Sequence, residues 1–147
     1  MSRVPRAVKA AVQEKEDDMP YLWRKIVGIP YSRNKTRGDI EAPKLWTEAI
    51  IAQTCHLPKI KEACMLGVTF LLPPNKFPVN LPYGPDLDNL LKRFCDALGK
   101  TIFSETRGGD SCVVSVSAMK TRVKSKAEAG AIIEVLPVSL TDQEVGG

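Results

Sequence analysis

Histidine is nearly absent from this chain: His56 is the single one. A Ser-His-Asp arrangement is therefore excluded unless it runs through His56. His56 follows Cys55 at the end of an expected helix and reads as structural. The four cysteines, Cys55, Cys64, Cys95 and Cys112, form no Cys-x-x-Cys pair. Without that spacing and without further histidines, a structural zinc site is disfavoured as well. Three of the cysteines sit in apolar runs, the pattern of buried free thiols in a reducing compartment. Long hydrophobic runs are also missing. None approaches the roughly 18 apolar residues of a membrane-spanning helix, and no signal-peptide core is present, so no membrane partner is expected. Repeats and low-complexity blocks are lacking too.

What remains is an ordinary globular composition, 44% apolar and 26% charged over 147 residues, enough for one domain with its own core. Basic residues outnumber acidic ones by 21 to 17, a net charge of +4. That bias permits a polyanionic partner without demanding one. The first 13 residues contain no acid and carry Arg3, Arg6 and Lys9, with Val4, Ala7, Val8, Ala11 and Val12 at helical spacing. This resembles a mitochondrial presequence, but the EKEDD run that follows opposes it. A cytoplasmic protein is expected instead. Residues 1–19 read as an extension, flexible or a lone helix. Residues 20–138 read as the domain, and 139–147 as a loose tail.

Within the domain, 20–30 reads as a first strand closed by Gly28 and Pro30. A basic loop follows at 31–40. A helix is expected at 42–55, with Pro43 in its first turn and Ala42, Leu45, Trp46, Ala49, Ile50 and Gln53 on one face. Residues 64–73 read as a central strand, apolar on both faces. The strongest helix is 87–99, where Leu87, Leu90, Leu91, Phe94, Cys95 and Leu98 keep helical spacing without a miss and Gly99 stops it. Strands at 111–122 and 131–138 complete the domain, with a turn at Gly130 suited to a hairpin. The order β-α-β-α-β-β predicts an α/β (α+β) fold, a single mixed β-sheet packed with helices.

Chemistry concentrates at Pro85-Asp86-Leu87-Asp88-Asn89-Leu90. Two carboxylates flank one apolar residue where a loop becomes a rigid helix. The plain alternative is helix capping by Asp86 and a dipole contact by Asp88. Lys92 lies one turn after Asp88. Asp110 sits in a Gly-Gly-Asp loop before the third strand. A sheet that brought this strand start to the helix start would unite three carboxylates in a hard oxygen site suited to Mg²⁺. Glu105 competes with Asp110 for the third place. Lys120, Arg122, Lys124 and Lys126 alternate, so a strand reaching that far would set them on one face to track phosphates. Arg33, Lys35 and Arg37 form a second basic cluster.

The run PDLDNLLKRFCDALG resembles the signature of the RusA-type Holliday junction resolvases. WRKIVGIPYSRNKTR resembles that family's opening strand and basic loop, and Asp110-Ser-Cys-Val-Val its later aspartate motif. The resemblance covers about 20–138 and implies a RusA-like fold. It implies an endodeoxyribonuclease that cuts four-way DNA junctions by paired symmetric nicks in recombination and repair, leaving 5′-phosphate and 3′-hydroxyl ends. It further implies Mg²⁺ (or Mn²⁺) held by Asp86, Asp88 and Asp110, with Lys92 in the catalytic site, and a homodimer matched to a two-fold substrate. Arg33, Lys35, Arg37, Lys120, Arg122 and Lys124 are the expected DNA contacts. The rival expectations are a branched-DNA binder that no longer cuts and a protein-interaction module on the same fold.

Overall fold

Residues 12–14, 22–35, 37–81 and 83–142 are described by the computed structural model of the chain. Strands β1 (Val12–Glu14), β2 (Leu22–Val27), β3 (Cys64–Leu72), β4 (Val113–Arg122) and β5 (Gly130–Leu140) and helices α1 (Ala42–Thr54) and α2 (Leu87–Leu98) are its main elements. The long strands lie in the order β2-β5-β3-β4, and β1 pairs with the last residues of β5. β2 and β3 are antiparallel to β5, whereas β4 is parallel to β3. The sheet is mixed and the helices pack on it, as the composition of the segments requires.

β3 is buried along most of its length, which is why it takes a neighbour on each edge. That demand overturns the hairpin expected at Gly130. β4 and β5 do not pair; β3 lies between them. The connection passes the end of β3, where the Val123 amide donates to the Leu72 carbonyl at 2.9 Å. The opening extension also differs from the flexible or helical expectation over Val12–Glu14, which form a strand; its remaining residues lie outside the described residues. The expected tail begins too early, because Ser139 and Leu140 still belong to β5.

The core lies between the helices and one face of the sheet. Phe94 of α2 is fully buried, stacked on Trp46 of α1 at 6.2 Å and meeting Phe70 of β3 edge-on at 5.6 Å. Leu90, Ala97 and Leu98 join it, while Leu87, Leu91 and Cys95 pack half-buried on its rim. The face predicted for α2 is thus the face used. For α1 the face turns slightly: Pro43, Trp46, Ile50 and Thr54 are buried and Leu45 is exposed. Gln53, which pattern alone places on the apolar face, holds both polar groups of Val27 with its amide, each at 2.8 Å. All four cysteines are free, with Cys64 and Cys112 buried and Cys55 exposed.

Phe94 makes the contacts that join both helices to the sheet. Phe94→Ala is expected to lower the unfolding free energy by about 3–5 kcal/mol. Urea denaturation followed by circular dichroism measures this, and a loss below about 1 kcal/mol would contradict the central placement of the ring.

Candidate active site

Parallel pairing of β3 with β4 dictates where the carboxylates lie. The chain leaves the end of β3, returns along α2, and re-enters the sheet at the start of β4. The start of α2 therefore sits by the ends of β3 and β4, and Asp110 sits by the other end of the helix. Two contacts fix this arrangement. Lys120, near the end of β4, donates to the Pro85 carbonyl at 2.8 Å. The Asp110 carboxylate lies near enough to the Cys95 thiol, seven residues beyond Asp88 or about 10 Å along the helix, to act on its charge. The Cys95 thiol is pushed up to about 12, chiefly by burial and then by the Asp110 carboxylate.

Asp86 occupies the N-cap position of α2 with extended backbone, yet its side chain makes no capping bond. Instead the carboxylate faces Arg33 at 3.6 Å and accepts from the Asn89 amide at 3.4 Å. Asp88 accepts from the Asn89 backbone amide at 3.0 Å. The capping alternative is therefore not how Asp86 is used, and Asn89 bonds locally to both carboxylates. Both carboxylates line one open cavity of about 560 Å³ with Leu87, Leu91, Val116, Ala118 and Lys120. Two carboxylates with open space beside a lysine suit a hard cation such as Mg²⁺, which is commonly bound through one or two carboxylates plus water and phosphate.

The remaining predicted residues lie elsewhere. Lys92 lines a separate cleft of about 420 Å³ with Ser32, Asn89, Arg93, Asp96 and Lys100, on the α1 side of α2. Glu105 is paired with Lys61 at 3.8 Å. Asp110 is exposed in a short turn after Gly108 and Gly109, both at positive φ. Among the described residues no group of three His, Cys, Asp or Glu side chains is placed to hold a metal. The expected union of Asp86, Asp88 and Asp110 does not occur within one chain, because a parallel crossover keeps its helix start and its second strand start apart. His56 is exposed and distant from these contacts in the turn after α1.

The basic residues divide in the same way. Lys120 and Arg122 belong to β4, but the strand ends there, and Lys124 and Lys126 lie in the following turn rather than on the same face. In the first loop, Arg33 meets Asp86, Lys35 lies 5.7 Å from the Tyr31 ring centre, and Arg37 is exposed. Two cations escaped the sequence reading. Arg93 donates to Asn34 at 2.6 Å and to Thr47 at 3.0 Å, tying the basic loop to both helices. Lys76 lies 3.0 Å from the Tyr31 ring centre and donates to the Pro30 carbonyl at 3.1 Å. Neither has a local signal, since each is defined by partners far away in sequence.

A protein-family model described as endodeoxyribonuclease RusA matches residues 33–135 of this chain. A search of curated proteins finds no match.

Lys76 yields a test of the local electrostatics. Burial, and then the like charge of Lys35, disfavour its protonated form and lower it from 10.5 to about 8. It is expected to lose its proton between pH 7 and 9 while exposed lysines stay charged. Lys35→Met is expected to move that titration upward, since it removes a like charge. A side-chain nitrogen NMR titration reads both effects, and an ordinary lysine titration in the unmodified protein would contradict them.

Proposed function

This chain belongs to the RusA endodeoxyribonuclease family, and on that premise we propose that it is a divalent-metal-dependent nuclease cutting four-way junctions by paired symmetric nicks. Family membership carries the general activity, Holliday junction resolution by endonucleolytic cleavage. The observation supporting the finer reading is the pair Asp86 and Asp88, on a rigid helix start and facing an open cavity beside Lys120. Mg²⁺ held by the two carboxylates would supply an activated water and charge neutralisation at the phosphodiester. Lys120 adds a positive group fixed at the same wall. Arg33 and Lys35 extend the cationic surface along the first loop, where phosphates of the substrate bind.

The reading includes a homodimer. β4 is the last strand of the sheet, and its outer edge has no strand partner among the described residues. Val114 and Val116 on that strand are 43% and 51% exposed. Antiparallel pairing of two β4 edges about a two-fold at Ser115 would cover these valines. It would also set the Asp110 of each copy opposite Lys120 of the other, beside the Asp86 and Asp88 that one chain leaves without a third carboxylate. A two-fold enzyme then meets a two-fold junction. The alternative, a junction binder that does not cut, draws support from the single acid before Ser111, where Gly109 precedes Asp110, and from the distance of Asp110 from the pair within one chain.

The test uses a synthetic four-way junction with and without Mg²⁺. Asp86→Asn and Asp88→Asn are each expected to lower cleavage by about two orders of magnitude or more while junction binding persists. Asp110→Asn is expected to be similarly inactive. Mixing Asp88→Asn with Asp110→Asn protein should restore nicking, because a mixed dimer holds one complete set of carboxylates. A mixture as inactive as its parts would refute the shared site. Binding without nicks in the unmodified protein would establish the non-cutting alternative.

A further inference from the structure

The loop between β3 and α2 carries large apolar side chains in the open. Val79 and Leu81 are 72% and 78% exposed, the most exposed large hydrophobic residues among those described. Exposed aliphatic residues at a loop tip are ordinary when isolated. Here they stand on a built support. Gly84 has φ +85, and a side chain there would meet the Lys76 carbonyl at 2.1 Å, so the two ends of the loop touch. The Phe77 and Tyr83 rings lie 6.2 Å apart across the neck. Tyr83 itself adopts positive φ, a costly conformation for a non-glycine residue. Its amide donates to the Asn80 carbonyl at 3.2 Å. The loop is thus pinched at its base and presents Val79 and Leu81 at its tip.

Its setting selects the occupant. Lys120 lies 5.6 Å from the Phe77 ring centre and holds Pro85, the residue before Asp86. Lys76 begins the neck and lies with Arg33, Lys35 and Pro85 around one cavity of about 310 Å³. An apolar tip above a cationic neck complements a duplex, whose apolar base stack is flanked by phosphates. Aliphatic side chains gain nothing from phosphates, but they can enter a base step and unstack it. A branch point makes that step least costly, because stacking is already interrupted there.

We propose that Val79 and Leu81, at the tip of this loop, form a wedge that inserts into the base stack of bound branched DNA, beside the carboxylates that face its backbone. This inference rests on the nuclease reading above and adds to it a residue-level basis for recognising the branch. The phosphate contacts hold the DNA, and the wedge senses whether its bases part.

The experiment uses the full chain in EDTA and a four-way junction with 2-aminopurine at the branch point, whose fluorescence rises on unstacking. Binding of the unmodified protein is expected to raise the signal several-fold. The double variant Val79→Ser/Leu81→Ser is expected to bind with an unchanged salt dependence, since no phosphate contact is lost, and to lose most of that rise. Its junction cleavage in Mg²⁺ is expected to fall by about tenfold, as two aliphatic groups are no longer buried in the complex. Leu81→Trp should show quenched indole emission on binding, from stacking against a base. Retention of the full rise in the double variant, or binding without a rise in the unmodified protein, would overturn the wedge and leave the nuclease reading standing. A double variant that sediments as a monomer where the unmodified protein is a dimer would also overturn it, because the tip would then be a contact between copies. Failure of the unmodified protein to bind junctions at all would overturn both readings.

Discussion

Parallel pairing between β3 and β4 is the constraint on which the rest depends. Parallel neighbours need a crossover, and the crossover here is α2 with its flanking loops. The helix must run opposite to both strands. Its first turn is consequently delivered to the end of β4, where Lys120 can hold the Pro85 carbonyl. The same geometry commits Phe94 to the middle of the core, between Trp46 and Phe70. The carboxylates of Asp86 and Asp88 are then carried on an element whose rotation and height are set by buried packing. The catalytic role proposed for them needs such rigidity, because small displacements at a reacting centre are costly.

The parts of this arrangement that the sequence made legible are those with a local cause. α2 is readable because its apolar residues recur at helical spacing, and β3 because it is apolar on both faces. The Asp86–Asp88 pair is readable because two acids at a helix start are chemically conspicuous. Strand pairing has no local cause. The β4–β5 turn looks like a hairpin, yet the burial demand of β3 decides which strands meet. Asp110 illustrates the same limit. Its motif is readable, but its distance from Asp86 follows from strand direction, which no single segment encodes. Arg93 and Lys76 were invisible for a related reason. Their partners Asn34 and Pro30 lie 59 and 46 residues away.

The alternation from Lys120 onward shows how a correct signal can carry an incomplete meaning. Its first two members share a strand, but Lys120 turns inward to the Pro85 carbonyl and only Arg122 is exposed there. Lys124 and Lys126 follow the end of β4 and belong to another surface. A row read as one phosphate track is therefore a positioning lysine, an exposed arginine and a basic turn. The distinction matters chemically. A lysine with a fixed acceptor adds charge at a defined point, whereas turn lysines add a diffuse field that salt screens within about 10 Å.

The Arg33–Asp86 contact joins the two halves of the site. Both side chains are mainly exposed, at 74% and 60%, and the charged atoms are 3.6 Å apart. Such a pair contributes about 0–1 kcal/mol and is readily exchanged. A phosphodiester arriving at the basic loop can take Arg33, since an arginine–phosphate pair is bidentate and at least as favourable as the contact it replaces. That exchange leaves the Asp86 carboxylate with the Asn89 amide and an open cavity, and so more able to accept a cation. Without DNA, the same arginine offsets the repulsion between Asp86 and Asp88. On the proposed reading, the weak contact would couple occupancy of the phosphate surface to the charge of the carboxylate pair, and its weakness is what would permit the coupling.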